Sequence, residues 1–212
     1  MNINGESENT GVLNINAANE GLDSELHLTV NGGNINIFSD NDGINTNEDG
    51  VSVTTINGGN VHIIAGLGEE GDGIDSNGTL TLNGGLFIGI GSREPEGGID
   101  VDNSTSFVIN GGTSIALGGS MMGTPSTTSK QYSVVYGGVA ASVGTNIAVI
   151  DSSNEVLFTF EVPSSYNNST LFFTTPDITN GSTYTIVSGG TLADYTDYWQ
   201  GYCSGGTYSG GT

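Results

Sequence analysis

The chain is poor in basic residues, cysteine, proline and histidine, and these shortages exclude several classes of protein. Its 212 residues include 2 Lys or Arg against 23 Asp or Glu, which gives a formal net charge of −21. No basic patch for nucleic acid or for an anionic membrane surface can therefore be built. The single cysteine, Cys203, cannot form an internal disulfide. No apolar run has the length needed to cross a bilayer, so membrane insertion is not expected.

Glycine is abundant, and the chain is organised by an internal repeat. The tripeptide Asn-Gly-Gly begins at Asn31, Asn57, Asn83 and Asn110, with spacings of 26, 26 and 27 residues. A second element, Gly followed by Ile or Leu and then Asp or Asn, comes before each copy. Its glycines are Gly21, Gly43, Gly73 and Gly98. Four repeats therefore fill about residues 11–119, and a fixed period of this size is typical of a solenoid.

The residues before each Asn alternate between apolar and polar with period two, which is the pattern of a half-buried strand. A β-unit of this length cannot bury its apolar face alone and must stack on its neighbours. The repeat predicts an all-β, right-handed parallel β-helix with about 26 residues per coil. A β-propeller is disfavoured because its blades are longer, about 40 residues. The four asparagines should form a ladder along the stack, whereas the apolar strands after Gly-Gly suggest a one-residue register slip in the last two copies.

The repeat ends near residue 120. We expect regular coils over residues 1–120 and an irregular β-strand extension, packed on the helix or continuing it, over residues 121–191. Residues 192–212 form a tail rich in Tyr and Gly.

Aligning the repeats on the Gly-Ile-Asp element produces three columns of mostly acidic and amide residues. They stand at the position before the glycine, at the Asp or Asn of the element, and two residues after it. Carboxylates stacked about 4.8 Å apart repel one another by about 1 kcal/mol in water, and by about 3.5 kcal/mol at an effective dielectric constant of 20. The chain has almost no Lys or Arg to offset this repulsion. Calcium fits best, because it takes six to eight oxygen ligands and needs neither His nor Cys. Magnesium remains possible, and so does a solvated acidic edge that binds no ion.

The candidate ligands fall into two groups. The first comprises the acids nearest the repeated element, namely Asp42, Asp72, Asp75 and Asp100. The second comprises the other column members and neighbouring acids, namely Asp23, Asn45, Asn77, Asp102, Asp40, Glu70, Glu48, Asp49 and Glu69.

Catalysis is poorly supported by the side chains present. His27 and His62 lie on predicted strands without a repeated partner, and Cys203 has no nearby histidine in the sequence. A lyase would need a basic residue as proton abstractor, and only Arg93 or Lys130 could serve. Repeated carboxylates could be the pair of a glycosidase, but a metal explains their periodicity better.

The segments "EGLDSELHLTVNGGNINI", "NDGINTNEDGVSVTTINGGNVHI" and "EGDGIDSNGTLTLNGG" resemble a family of secreted bacterial carbohydrate-binding domains. These are right-handed parallel β-helices related in fold to pectate lyases. The resemblance implies calcium bound by the corner aspartates, binding of cellulose and of acidic sugars such as polygalacturonate, and no lyase activity. It also implies an extracellular or cell-surface location. Asn45 and Gly97 depart from the pattern, since each stands where Asp is expected.

Two further features bear on partners. For a neutral glucan, aromatic platforms are the usual route, and the candidates are Tyr195, Tyr198, Trp199 and Tyr202; alternatively, these rings cap the end of the helix. A rival function is structural: a calcium-stabilised β-helix is a stiff rod, and an exposed terminal coil could support a homo-oligomer, an adhesin stalk or a filament. An ice-binding face on Thr29, Thr55 and Thr81 is disfavoured because Val108 ends that column.

Overall fold

The computed structural model describes residues 1–5, 11–93, 95–102, 106–121 and 123–212. The first part of the chain is built from short strands separated by tight corners. These strands are β1 (Asn2–Ile3), β2 (Val12–Ala17), β3 (Leu22–Ser24), β4 (His27–Val30), β5 (Asn34–Ser39), β6 (Ile44–Thr46), β7 (Val53–Ile56), β8 (Asn60–Ile64), β9 (Ile74–Ser76), β10 (Thr79–Leu82), β11 (Leu86–Ile90), β12 (Asp100–Val101), β13 (Phe107–Ile109) and β14 (Thr113–Gly118).

These strands form three parallel sheets, and each coil adds one strand to each sheet. The ladder sheet has the order β1-β4-β7-β10-β13, and the corner sheet has the order β12-β9-β6-β3. The middle sheet contains β2, β5, β8, β11 and β14. The prediction of an all-β parallel solenoid with about 26 residues per coil is therefore confirmed.

The core runs along the inside of the coils, as the period-two pattern predicts. Alternate residues of the ladder sheet point inward and are fully buried, while the residues between them are half-exposed. Buried core side chains of the solenoid include Leu28, Val30, Ile35, Ile37, Ile44, Ile56, Ile63, Phe87 and Phe107. Stacking equivalent residues on successive coils buries this apolar column, which no single repeat could bury by itself.

The predicted asparagine ladder is confirmed, and it is one rung longer than expected. Each side-chain amide donates to the Oδ1 of the equivalent residue in the preceding coil. The distances are 2.7 Å from Asn57 to Asn31, 2.7 Å from Asn83 to Asn57 and 2.7 Å from Asn110 to Asn83. Asn31 donates to Asn4 at 2.6 Å, which adds the extra rung.

The predicted register slip in the strands after Gly-Gly is wrong. Asn34 pairs with Asn60, Asn60 with Leu86, and Leu86 with Thr113, so the register runs unbroken through the middle sheet. The sequence looked shifted because Gly89 occupies an inward position where the other coils carry a side chain. A Cβ at Gly89 would overlap the ring of Phe87, which fills that space instead.

The second part of the chain is also made of strands. They are β15 (Ser133–Ala141), β16 (Asn146–Asp151), β17 (Val156–Glu161), β18 (Tyr166–Thr174), β19 (Tyr184–Ser188), β20 (Thr191–Ala193), β21 (Asp197–Trp199), β22 (Tyr202–Ser204) and β23 (Thr207–Ser209). By its contacts the chain divides into two compact units. One comprises Met1–Gly137 with Ser169–Pro176, and the other comprises Gly138–Asn168 with Asp177–Thr212.

In the first unit, the last coil is covered by segments outside the repeat. β18 pairs antiparallel with β14, and Phe172 contacts Phe107 with ring centroids 5.8 Å apart. The backbone N–H of Ser126 donates to the carbonyl of Phe107 at 2.7 Å, and that of Lys130 donates to Ile109 at 2.8 Å. The last strands of the ladder sheet and of the middle sheet therefore have partners for their backbone groups.

The second unit is an antiparallel sheet with the order β19-β16-β17-β22-β21, accompanied by the two-stranded sheet β20-β23. Its core contains Ile147, Val149, Phe158 and Phe160. The Tyr- and Gly-rich end of the chain thus forms strands of this unit. In the part of the chain that the structure describes, no helix is long and apolar enough to cross a membrane.

Candidate functional site

One column of candidate ligands lies on the corner sheet in the predicted register. Asp23 pairs with Asn45, Asn45 with Asp75, and Asp75 with Asp100. Asp75 and Asp100 are half-buried, Asn45 is buried and Asp23 is exposed. The alignment on the Gly-Ile-Asp element therefore brings these four side chains into one row along the solenoid.

A second column stands just before the corner sheet and takes part in holding adjacent coils together. The Oδ1 of Asp42 accepts a hydrogen bond from the backbone N–H of Asp72 at 2.7 Å. In the next coil, the Oδ1 of Asp72 accepts one from the N–H of Gly97 at 2.5 Å. Both aspartates are buried. Each thus has one oxygen engaged with the neighbouring coil, a structural role that the sequence did not indicate.

The side chain of Glu96 lies beside that of Asp72, and the sequence alone did not identify it as a candidate ligand. Its side chain is half-buried and hydrogen-bonds to that of Asp72. In the fourth repeat Gly97 stands where the other repeats have an acid, so the acidic column of the sequence alignment ends at Asp72. Glu96 lies one residue earlier and supplies the missing carboxyl group. Allowing a shift of one residue in the alignment would have found it.

The electrostatics of the cluster are dominated by burial and mutual repulsion. Burial, the hydrogen bond that the protonated Asp72 carboxyl donates to the Glu96 carboxylate, and the charges of Glu96 and Asp100 raise the pKa of Asp72 far above its usual value. Burial and the charges of Asp42 and Asp100 raise the pKa of Asp75 to about 7.

The pKa values of Asp100 and Asp42 are also raised. Burial, followed by the charges of Asp102 and Glu96, raises the pKa of Asp100 to about 6. Burial also raises the pKa of Asp42, although the hydrogen bond from Asp72 partly offsets it. We call Asp42, Asp72, Asp75, Glu96 and Asp100 the acidic corner.

The third predicted column is largely occupied by hydrogen bonds within the chain. The Asn47 amide donates to the Oδ1 of Asp23 at 2.8 Å. The Asn77 amide donates to the carbonyl of Asn47 at 3.1 Å and to the Oδ1 of Asp49 at 3.4 Å. Asp102 is exposed. The two asparagines of this column therefore help to hold adjacent coils together.

The other acidic candidates lie on the surface. Asp40, Glu48, Glu69 and Glu70 are exposed. The carbonyl of Asp40 accepts a hydrogen bond from the N–H of Gly68 at 2.9 Å, which ties the loop of Asp40 to the loop that carries Glu69 and Glu70.

The donor chemistry of the acidic corner fits a hard cation. Its side chains carry only oxygen donors, and Oδ1 of both Asn45 and Asp100 is buried without a hydrogen-bond partner. Within the described ranges, however, no group of three or more His, Cys, Asp or Glu side chains converges closely enough to hold a metal ion. Calcium takes amide and carbonyl oxygens and water as well as carboxylates. A pair of carboxylates with such additional oxygens therefore suits it.

The aromatic candidates in the second unit differ in exposure. Tyr195 is 48% exposed and Tyr198 is 68% exposed, and their rings lie 6.5 Å apart with a tilt of 45°. Trp199 is half-buried. Tyr202 is buried and stacks on Phe158 at 6.4 Å, so it belongs to the core of its sheet. Only Tyr195 and Tyr198 offer open ring faces.

The residues considered for catalysis occupy different environments. His62 is buried in a strand of the middle sheet, where burial lowers its pKa to about 4, and its ring packs edge-on against Phe38 at 6.1 Å. His62 is thus a residue of the middle sheet, in register with Asn36 and Ile88 of the adjacent coils. Arg93 and Lys130 are exposed, and Cys203 is buried. Glu94, which follows Arg93 in the sequence, lies outside the described residues.

Comparison with known proteins identifies a family. No curated protein and no solved structure matches the chain. The family model described as "Carbohydrate-binding domain-containing protein" matches residues 1–162, which is most of the chain and includes every residue of the acidic corner. The chain therefore belongs to this family of carbohydrate-binding domain-containing proteins.

Proposed function

We propose that the protein is a non-catalytic, calcium-dependent carbohydrate-binding protein that recognises plant cell-wall polysaccharide outside the cell or at its surface. In this proposal the acidic corner binds an acidic polymer such as polygalacturonate. The observation that carries it is the crowding of buried carboxyl groups that raise one another's pKa, in a chain with two basic residues. Membership of a carbohydrate-binding family supports the ligand class.

The residues that would hold Ca²⁺ are those of the acidic corner, together with the buried amide oxygen of Asn45. Asp75 is the central member, since it pairs with both Asn45 and Asp100. When bound, the ion would supply the positive charge needed to bridge protein and sugar carboxylates. Magnesium suits the corner less well, because it demands stricter octahedral geometry and keeps more of its water.

The proposal also explains how an acidic protein could hold an acidic polysaccharide. At a net charge of −21 the chain would repel a polyanion unless a cation intervened. The two exposed basic side chains, Arg93 and Lys130, are too few to provide that attraction.

Binding of polygalacturonate in Ca²⁺ and in EDTA, at constant ionic strength, tests the proposal. Wild-type protein should bind only with Ca²⁺. Asp75→Asn should weaken binding at least tenfold, whereas Asp194→Asn, which changes an exposed aspartate in the second unit, should bind as wild type does. Binding that is unchanged in EDTA would refute the bridging role of the ion.

For a neutral glucan such as cellulose, we propose that Tyr195 and Tyr198 stack on sugar rings. Their exposure and their 6.5 Å separation support this role, because aromatic faces provide apolar contact area for pyranose rings. The double variant Tyr195→Ala/Tyr198→Ala should lose affinity for cellulose and keep its calcium-dependent binding of polygalacturonate. Equal loss of both activities would contradict separate sites.

A structural role as a rod or filament subunit is the second candidate. β2 is the last strand of the middle sheet, and its Val12 is 64% exposed, so this edge could pair with another chain. Light scattering with and without Ca²⁺ separates the two functions. Calcium-driven growth in particle mass would favour assembly, and a constant monomer mass would favour the monomeric binder.

A further inference from the structure

The outer surface of the ladder sheet is a regular polar face outside the acidic corner. Its central column is Thr29, Thr55 and Thr81, which pair in register and are followed by Val108. Each of the three threonines is half-exposed, because its strand neighbours on both sides point into the core. Asn2 pairs with Thr29 and extends the column at its other end.

The asparagine ladder flanks this column two residues further along each strand. Asn31, Asn57 and Asn83 are exposed. Each hydrogen bond between rungs, at 2.7 Å, fixes the orientation of an amide before any ligand arrives. We call the threonine column and the asparagine ladder together the ladder face.

The ladder face keeps hydrogen-bonding capacity available to a ligand. An asparagine amide has two N–H donors and two lone pairs on its oxygen. The ladder uses one donor and one lone pair of an internal rung such as Asn57. The second N–H and the second lone pair remain for solvent or a ligand, beside the half-exposed hydroxyl of Thr55. A donor and an acceptor on every rung suit a ligand that itself carries hydroxyl groups.

The charge of the ladder face distinguishes it from the acidic corner. The chain contains 23 acidic residues, yet the outward positions of the ladder sheet and its asparagine ladder hold only Asn, Thr, Val and His. This face therefore has no positive charge to attract an acidic polymer, and it has no acidic side chain that a neutral polymer would have to cover. An uncharged polyhydroxylated chain is the ligand whose chemistry complements it.

The spacing of the rungs suits a polymer better than a single sugar. Adjacent strands lie about 4.8 Å apart, which is close to the length of one pyranose unit along an extended chain. Each rung can offer only a few weak contacts, but successive contacts along one polymer act at high effective concentration. A flat face with repeated hydroxyl and amide groups would thus bind an extended polysaccharide while showing little affinity for a monosaccharide.

We propose that the ladder face is a second carbohydrate-binding surface, which takes a neutral, extended polysaccharide such as a β-1,4-glucan and needs no cation. The inference rests on the proposed carbohydrate-binding function and assigns to it a surface separate from the acidic corner and from the exposed tyrosines. The ligand chemistry follows from the absence of charge, the fixed amides and the exposed hydroxyls of this face.

The test is depletion of protein from a suspension of microcrystalline cellulose in EDTA. The variant Thr55→Glu/Thr81→Lys places two long side chains on the face, leaves the net charge unchanged and pairs opposite charges across adjacent strands. Thr185→Glu/Thr207→Lys makes the same changes at exposed threonines of the second unit. Thr81→Gln, uncharged and less disruptive, serves as a second variant should the double variant fail to fold.

We expect the ladder-face variants to lose at least tenfold in affinity for cellulose. The Thr185/Thr207 control should retain wild-type affinity. Wild-type affinity in the ladder-face variants would overturn the inference, as would loss of cellulose binding in EDTA. A wild-type dimer in sedimentation that dissociates in the ladder-face variants would overturn it too, because a second copy would then cover the face.

The same assay separates this inference from the proposed function. Wild-type protein that binds polygalacturonate in Ca²⁺ but does not bind cellulose would refute the ladder face and leave the acidic corner standing. Failure to bind either polymer would refute both.

Discussion

At the scale of single residues, Asp75 is the most informative position in the acidic corner. Burial and the charges of Asp42 and Asp100 raise its pKa to about 7, so its ionised form is disfavoured in the folded protein. Asp75→Asn removes one of the repelling charges and keeps the shape of the side chain. In EDTA at pH 8 we expect this variant to unfold at a higher temperature than wild type, and added Ca²⁺ should stabilise it less.

Thermal unfolding of Asp75→Asn and of the exposed control Asp194→Asn checks this expectation. The control should match wild type both in EDTA and in Ca²⁺. A lower melting temperature for Asp75→Asn in EDTA would mean that the carboxylate is stabilising without a cation, which contradicts the account.

The pH dependence of stability follows from the same group of carboxyls. Asp75 and Asp100 have folded pKa values of about 7 and about 6, against an ordinary value of 3.8. Between pH 4 and pH 7 the folded state therefore binds more protons than the unfolded state, so the free energy of unfolding falls as the pH rises. In EDTA, urea unfolding at pH 5 should give a higher midpoint than at pH 8.

Calcium should remove this dependence, because an ion that binds ionised carboxylates competes with protons and stabilises the folded state more strongly at pH 8. The Asp75→Asn variant should also show a shallower pH slope in EDTA. A midpoint in EDTA that rises between pH 5 and pH 8 would contradict the assignment of these pKa shifts.

Individual site residues could be predicted from the sequence where the repeat was strict. The register of Asp75 with Asp100 followed from the Gly-Ile-Asp alignment and is present in the structure. Glu96 could not be found in this way, because the fourth repeat carries its acid one residue out of alignment. The burial of Tyr202 was also hidden, since it depends on contact with Phe158, which lies far away in the sequence.

At the scale of elements, the Asn-Gly-Gly corner explains why two consecutive glycines recur. Gly59 has φ +87°, and a Cβ there would lie 2.7 Å from the carbonyl oxygen of Gly33 in the preceding coil. Gly58 has room, since its Cβ would be 3.4 Å from the nearest atom, the carbonyl oxygen of Asn31. Gly59→Ala should therefore cost about 1–3 kcal/mol of stability, whereas Gly58→Ala should be tolerated.

Denaturant unfolding of the two variants provides the measurement, and each serves as the other's control. Both replace glycine with alanine in the same turn, so a difference in stability reports the backbone conformation and the close approach of coils. Equal stability of the two variants would contradict the corner geometry.

The asparagine ladder is an element of the same kind, repeated along the solenoid. Asn57 donates to Asn31 and accepts from Asn83, both at 2.7 Å. Asn57→Ala removes both bonds at an exposed site and should cost about 1–3 kcal/mol, taking about 0.5–1.5 kcal/mol for each net hydrogen bond. Asn167→Ala, at an exposed strand position of the second unit, is the matched control. Equal stability of the two variants in urea would show that the hydrogen bonds of the asparagine ladder do not stabilise the fold.

The elements of the solenoid could be predicted because their period is visible in the sequence. The error in the middle sheet arose at Gly89, where an inward side chain is missing and Phe87 fills the space. Side-chain packing between neighbouring positions can thus imitate a change of register. Only the hydrogen-bonded pairs along β8, β11 and β14 reveal the true alignment.

At the scale of the whole molecule, the chain is two compact units, and the repeat describes only part of the first. The antiparallel sheet of the second unit joins strands such as β17 and β22, whose pairing no period in the sequence indicates. Such pairings depend on long-range packing of residues such as Phe160 and Tyr202. For this reason the sequence predicted strands there but not their order.

The large negative charge belongs to the whole molecule, and part of it is concentrated at the acidic corner. A net charge of −21 destabilises any compact state through self-repulsion, and the acidic corner concentrates that repulsion in a partly buried row. A bound divalent cation would relieve both effects. The central claim is therefore that the folded protein is specifically stabilised by calcium.

Thermal unfolding in 5 mM EDTA, followed by excess Ca²⁺ and by excess Mg²⁺ at matched ionic strength, tests this claim most directly. The account predicts a rise in melting temperature of at least about 5 °C with Ca²⁺, corresponding to more than about 2 kcal/mol of binding to a domain of this size, and a much smaller rise with Mg²⁺. No shift with Ca²⁺, or equal shifts with the two ions, would contradict it. In that case the acidic corner would have to remain stable through protonation and its own hydrogen bonds.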